Sequence, residues 1–234
     1  MPAKYLEDSY KREFESIVKS VRDKYVILEE SYFYPNSGGQ PFDTGVLVDE
    51  HGNKYNVVYV AKTENEISHE VDKEGLKEGM KVKGLIDWER RHLLMRYHTV
   101  SHILSQFLYK ETGALITGNQ LGLDKSRVDF SLENFDRDLM MSFESKVNEF
   151  LSKNREVKTY FLPREKAMEL PVLSKLAKGL NPDIKDIRIV EIKDFDITAC
   201  GGTHVKNTSE IGKIKITKLE NKGGNRRRIC FVLI

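Results

Sequence analysis

Four side chains able to hold a metal stand in two short, distant runs, His98-Thr99-Val100-Ser101-His102 and Cys200-Gly201-Gly202-Thr203-His204. Two imidazoles four residues apart share one side of a helix, about one turn apart. Gly201 and Gly202 let the chain fold back between Cys200 and His204, because glycine accepts backbone angles that other residues resist. Together the runs offer the nitrogen and sulfur donors that tetrahedral zinc prefers. The first run is not the HExxH of a zinc protease: Thr99 stands where the Glu belongs, so the general base of that reaction is missing. Spacing alone leaves two outcomes open. Four protein donors close a structural site that only staples helix to loop; three donors leave a position at which zinc lowers the pKa of a water or anchors a substrate group.

The elements that carry these residues follow from periodicity. From Trp88 to Glu111 the apolar positions recur at helical spacing, with Leu93, Tyr97, Val100, Leu104, Phe107 and Leu108 on one side and His98 and His102 opposite. That pattern predicts a helix covered on its apolar side and open to a cleft at the histidines. The Cys200 loop follows a predicted strand, Ile187 to Ile192. A second helix is expected over Asp136 to Asn154, a strand over Val157 to Leu162, and breaks at Pro163, Pro171, Gly179 and Pro182. The tail reads as a hairpin, Lys213 to Leu219 and Arg228 to Ile234, around Lys222-Gly223-Gly224-Asn225. Before Asp87 the chain is mostly short strands, including Glu13 to Val21 and a hairpin on either side of Asp49 to Lys54, which suggests a small β-barrel. The expected organisation is α+β: an N-terminal barrel over residues 1–87, then an α+β domain over 88–234 with an antiparallel sheet.

Composition bounds the rest. The 234 residues suffice for two small cores, and a charged fraction of 32% implies a heavily charged surface. No apolar run reaches membrane-span length and the N-terminus has no signal-peptide pattern, so a cytoplasmic location is expected. Two cysteines are too few for a disulfide scaffold. Cys230, in an apolar strand, reads as packing, whereas Cys200 is followed by glycines in a loop. His51, His69 and His92 lie in turn-like or charged surroundings and read as surface residues. The net charge of +2 does not force nucleic-acid binding. The C-terminal cluster of Lys213, Lys215, Lys218, Lys222, Arg226, Arg227 and Arg228 does fit phosphate contacts, with Lys222, Arg226 and Arg227 the candidates. A solvated hairpin face is the plainer alternative. The run Phe33 to Gly45 contains Gly38-Gly39-Gln40-Pro41, where the glycines permit close backbone approach to a ligand and Gln40 offers an amide. An ordinary turn explains it equally well.

Taken as a set, these runs resemble the editing domain of alanyl-tRNA synthetase and its free-standing relatives, the AlaX trans-editing family. The similarity extends to Asp87-Trp88-Glu89-Arg90-Arg91, to Arg127-Val128-Asp129-Phe130, to Thr208-x-Glu210-Ile211-Gly212 after the Cys200 loop, and to Lys222 through Ile229. The Phe33 to Gly45 run resembles the glycine-rich motif of the family's N-terminal barrel, a translation-factor-like fold present in the medium form and absent from the short form. This chain departs from that motif at Asn36-Ser37. The resemblance implies a deacylase that hydrolyses the ester of mischarged tRNA(Ala), seryl and in barrel-bearing members glycyl, and spares alanyl-tRNA(Ala). It implies one zinc ion held by His98, His102, Cys200 and His204 as the catalytic centre, and Gly38, Gly39, Gln40 and Thr99 as substrate-binding residues. Thr99, beside the metal, would pair with the serine hydroxyl that alanine lacks, a form of recognition that discriminates strongly. No carboxylate stands at a spacing that marks it as the base. The expectation is that zinc orients the ester while water attacks, with attack by the terminal ribose hydroxyl the other route. Competing expectations are an RNA-binding module with a structural zinc and a zinc hydrolase of small esters. The threonyl-tRNA synthetase editing domain is similar at the metal runs but lacks Gly-Gly-Gln-Pro.

Overall fold

The computed structural model describes residues 3–63, 66–134, 136–170 and 183–234. The chain forms two compact units, Met1–Leu94 and Met95–Ile234. The expected breaks at Pro171, Gly179 and Pro182 lie outside the described residues.

The first unit holds a short helix, α1 (Lys4–Glu7), and a closed antiparallel barrel in the order β1-β2-β5-β4-β3-β6. Its strands are β1 (Glu13–Arg22), β2 (Tyr25–Leu28), β3 (Gly45–Asp49), β4 (Lys54–Lys62), β5 (Ile67–Val71) and β6 (Lys81–Ile86). Alternating apolar residues point inward, and Phe14, Val18, Val26, Phe33, Leu47, Val60 and Val82 make the core. The β1–β2 turn places Asp23 at φ 54°. In the β3–β4 hairpin, Asp49 Oδ1 accepts from the His51 and Asn53 N–H groups, both at 2.9 Å, and so closes the turn that the sequence placed there. Gly84 pairs with Phe14 across β1 and β6; a Cβ at residue 84 would lie 2.5 Å from the Phe14 ring, so the barrel interior is packed through that glycine.

One histidine is not where the sequence suggests. His69 is fully buried, because β5 alternates and residue 69 falls on the inward side. Both ring nitrogens are satisfied: Nε2 lies 2.7 Å from Ser31 Oγ and Nδ1 lies 2.9 Å from Val26 O. Burial pushes its pKa down to about 4. The unfolded chain therefore takes up a proton near pH 6.5 that the folded chain refuses until about pH 4. This stabilising contribution is complete above pH 6.5 and is lost as pH falls through that window, by about 3 kcal/mol. Urea unfolding of wild type and His69→Gln at pH 7, 5.5 and 4.5 checks it. The wild type is expected to lose more stability than the variant, and parallel losses would exclude His69 as the cause.

A long helix, α2 (Trp88–Thr112), begins in the first unit and continues into the second. Its start is capped by Asp87, whose Oδ1 accepts the Arg90 N–H at 3.2 Å. Among the described residues there follow β7 (Leu115–Gln120), β8 (Ser126–Ser131), α3 (Arg137–Leu151), β9 (Val157–Pro163), α4 (Arg164–Met168), β10 (Asp186–Ile192), β11 (Asp196–Ala199), a 3-10 turn (Thr208–Glu210), β12 (Ile214–Asn221) and β13 (Arg226–Leu233). They form two antiparallel sheets, β11-β10-β9 and β12-β13-β8-β7. Asp136 caps α3 through the Leu139 N–H, and Met140, Phe143, Val147, Phe150 and Leu151 form its buried stripe.

The two-sided picture of α2 needs correction. Leu94, Met95, Tyr97, His98, Thr99, Val100, Ser101, Ile103 and Leu104 are all buried, so burial encircles the middle of the helix. Small hydroxyl residues make this tolerable: Thr99 donates to Met95 O at 2.9 Å and Ser101 to His98 O at 2.7 Å, so neither leaves an unpaired group inside. Among the described residues, no helix is long and apolar enough to cross a membrane.

Candidate metal centre

His98 and His102 come from α2, Cys200 and His204 from the loop after β11, and the fold brings all four together. One donor atom from each lies within 4.8 Å of the others. Cys200 Sγ is 3.5 Å from His98 Nε2 and 3.3 Å from His204 Nε2. Tetrahedral zinc with its usual bond lengths separates a sulfur and a nitrogen donor by about 3.5 Å. The donor types and their spacing therefore fit a four-coordinate metal ion.

The loop is shaped differently from the glycine expectation. Neither Gly201 nor Gly202 adopts a positive φ. The fold-back is held instead by Arg188 of β10, a buried side chain whose Nη1 donates to Cys200 O at 2.7 Å and to Gly202 O at 2.9 Å. The Gly202 N–H donates to Cys200 Sγ at 3.3 Å. A cationic residue inside the otherwise apolar Ile187-Arg188-Ile189-Val190 was the one sequence signal for this clamp.

Burial opposes ionisation of the Cys200 thiol, but the surrounding His98, His102 and His204 outweigh it and hold its pKa well below the ordinary value. Burial, followed by the charge of His98, drives His204 well below its usual range, which keeps its imidazole neutral. A thiolate and a neutral imidazole are the forms in which these groups bind metal; against the effect of burial, Cys200 and Asp196 raise His102 to about 10, so that ring must give up a proton to bind. Asp196 at the start of β11 lies near the outer side of His102, with Oδ2 3.8 Å from Nδ1. No spacing in the sequence pointed to it, because Asp196 and His102 meet only through packing of β11 near α2.

Thr99 departs from its expected role. Its side chain is fully buried, and its hydroxyl donates to Met95 O, accepts the Val205 N–H at 3.3 Å and lies 3.2 Å from His204 Nδ1. With its capacity used inside the protein, it has none left for a substrate hydroxyl.

A cleft of about 300 Å³ runs from His102, lined among others by Ser105, Gln106, Tyr109, Leu115 and Thr198. A wider groove of about 540 Å³ on the barrel is lined by Glu15, Glu29, Glu30, Asp49 and Glu50 beside Lys81 and Lys83. Its acidic lining does not suit RNA phosphates.

The other predicted residues are dispersed. Gln40 is buried in the barrel unit, closing a tight turn with Ser37 through Gln40 N–H to Ser37 O (2.9 Å) and Ser37 N–H to Gln40 O (3.2 Å). Gly38 and Gly39 sit at that turn with φ of 56° and 80°, where a side chain would be strained. In the C-terminal hairpin, Lys222 and Arg226 are exposed. Arg227 is not available for phosphate: it is buried, and its guanidinium donates to Asn221 Oδ1, Gly224 O and Glu133 O, because residue 227 falls on the inner side of the sheet. Arg228 is held by Asp129, at 2.7 and 3.0 Å. Cys230 is half-buried.

A family model described as the threonyl and alanyl tRNA synthetase second additional domain matches residues 187–230, and one described as tRNA synthetases class II (A) matches residues 2–90. An alanyl-tRNA editing protein AlaX-M of Methanosarcina barkeri is 53% identical, covering 99% of this chain and 98% of its own length. The protein of the same description in Saccharolobus solfataricus is 46% identical, covering 98% and 97%. An alanine–tRNA ligase of Sulfurisphaera tokodaii is 40% identical over 92% of this chain, which corresponds to 24% of the ligase.

Proposed function

This chain belongs to the AlaX-M family of alanyl-tRNA editing proteins, and from that premise we propose that it is a free-standing deacylase of mischarged tRNA(Ala), removing serine and glycine and sparing alanine. The observation that carries the reading is the cluster of His98, His102, Cys200 and His204 at metal-binding spacing, in a chain similar over its whole length to editing proteins. The reaction is ester hydrolysis. A bond forms between a water oxygen and the acyl carbon, the bond from that carbon to the terminal ribose oxygen breaks, and a proton ends on the ribose oxygen.

We assign one zinc ion to His98, His102, Cys200 and His204; held there, it would orient the ester and, given a position open to the substrate, polarise it. The chain's own residues prepare that centre. Cys200 is kept as thiolate by its histidine neighbours, and Arg188 fixes the loop that presents it. The cleft at His102 is the route by which the ester arrives, with Ser105, Tyr109 and Thr198 the hydroxyl-bearing residues along it once Thr99 is set aside. Gly38, Gly39 and Gln40 keep the substrate-binding role that the family resemblance gives them. Lys222 and Arg226 contact tRNA phosphates. A tRNA substrate fits a cytoplasmic location, which is part of this proposal.

The test is deacylation of seryl-, glycyl- and alanyl-tRNA(Ala) over a salt series. Serine and glycine are expected to be released and alanine retained, with RNA affinity falling steeply as salt rises. Arg226→Ala should reduce the slope of log affinity against log salt by about 0.7–0.9, one phosphate contact. A second reading, an RNA-binding module with a structural metal, has in its favour that four protein donors make a closed site. Stable seryl- and glycyl-tRNA under all conditions would decide for it.

A further inference from the structure

We propose that Thr99 is a positioning residue of the metal centre: its hydroxyl holds the His204 imidazole with hydrogen on Nδ1, so that Nε2 faces Cys200 and the metal. The inference rests on the metal assignment above but not on the tRNA substrate.

Proton accounting carries it. A threonine hydroxyl has one hydrogen to give and two lone pairs to accept with. Met95 O, 2.9 Å from Thr99 Oγ1, can only accept, so it takes the hydrogen; a helical threonine commonly bonds to the carbonyl four residues back in this way. The Val205 N–H, 3.3 Å away, can only donate and occupies one lone pair. The remaining lone pair meets His204 Nδ1 at 3.2 Å, so that nitrogen must carry a hydrogen. A neutral imidazole protonated on Nδ1 has its lone pair on Nε2, and Nε2 is the atom 3.3 Å from Cys200 Sγ. Thr99 is fully buried, so water cannot replace the hydroxyl.

The helix register explains why threonine stands at this position. Residue 99 follows His98 and lies three before His102, so the turn that presents two donors to the metal also turns the intervening side chain toward the loop. Val205, next to His204, ties to the same oxygen, so one hydroxyl sets both the ring and its backbone. Metal-ligating histidines need such a partner on their second nitrogen, and its loss typically lowers metal affinity 10–100-fold.

The test is zinc affinity, measured by competition with a chromophoric chelator, for wild type, Thr99→Val and Thr99→Ser, with circular dichroism confirming the fold. Thr99→Val keeps the shape and removes the hydroxyl; it is expected to bind zinc about 10–100-fold more weakly. Thr99→Ser keeps the hydroxyl and is expected to stay near wild type. Unchanged affinity in Thr99→Val, or a serine variant as weak as the valine variant, overturns the proposal. If Thr99→Val does not fold, long-range ¹H–¹⁵N correlation spectra of zinc-loaded wild type decide. Hydrogen on His204 Nδ1 with zinc on Nε2 supports the role, and the reverse removes it. A wild type that binds no zinc also ends it. None of these measurements uses tRNA, so an inactive protein with the expected Thr99 behaviour would lose the deacylase reading and keep this one.

Discussion

His98→Ala is expected to lower seryl-tRNA(Ala) deacylation about a thousandfold while leaving the barrel folded. His98 is buried and its Nε2 stands 3.5 Å from Cys200 Sγ, so truncation removes a donor and opens a hole that no neighbouring ligand fills. A metal acting as Lewis acid contributes several kcal/mol of transition-state stabilisation. Loss of about 4 kcal/mol corresponds to about a thousandfold in rate. The check is single-turnover deacylation beside zinc content, with chelator-treated wild type as the control. Variant and stripped wild type should fall together and only the wild type should recover with added zinc. Metal-free protein that keeps its fold and hydrolyses at full rate would sink the metal's part in the reaction.

The second large effect concerns stability. Asp43→Ala is expected to destabilise the barrel unit by about 3–5 kcal/mol, the usual cost of stranding one partner of a buried ion pair. Asp43 and Arg91 are both fully buried. Arg91 Nε reaches both carboxylate oxygens, at 2.9 and 3.0 Å, and Nη2 pairs with Asp43 as well. Arg91 also donates to Ser9 O and Tyr32 O, and the Tyr34 N–H donates to Asp43 Oδ2. Removing the carboxylate therefore leaves a buried cation with only backbone carbonyls, and it frees one backbone N–H. Asp43→Asn keeps the shape and part of the hydrogen bonding and should fall between alanine and wild type. Against a typical total of roughly 5–15 kcal/mol, such a loss is easily seen in urea unfolding. Glu149→Ala, which breaks the exposed pair with Lys153, is the control and should leave the unfolding midpoint unchanged. Equal behaviour of the two variants would show that the buried pair adds nothing.

Much of this molecule was legible in its sequence. Strand alternation, the Asp49 turn and the absence of helical periodicity gave the barrel, because these are local properties of short segments. The long helix was legible for the same reason, as was the second helix from Asp136. The four side chains that could hold a metal were legible as candidates because helical spacing makes His98 and His102 neighbours before any tertiary contact forms, and because a thiol beside glycines has little to pack against; the fold brings the four together. The AlaX-type motifs joined these pieces into one family.

Other features were settled only when distant segments met. His69 was placed on the surface because its surroundings read as turn-like or charged, and Arg227 among the phosphate contacts because it stands in a basic run; strand register, which appears only in the folded sheets, buried both. Helical periodicity assumes one wet side along the whole helix; over residues 97–101 α2 has none, whereas from His102 onward it borders the cleft. Asp196 and Arg188 became visible as partners of His102 and of the Cys200 loop only through packing across β10 and β11. Thr99 carries the same lesson. The sequence placed its hydroxyl beside the metal ligands, since that follows from helix register. What the hydroxyl binds depends on His204 and Val205, residues that only the folded chain brings within hydrogen-bonding distance.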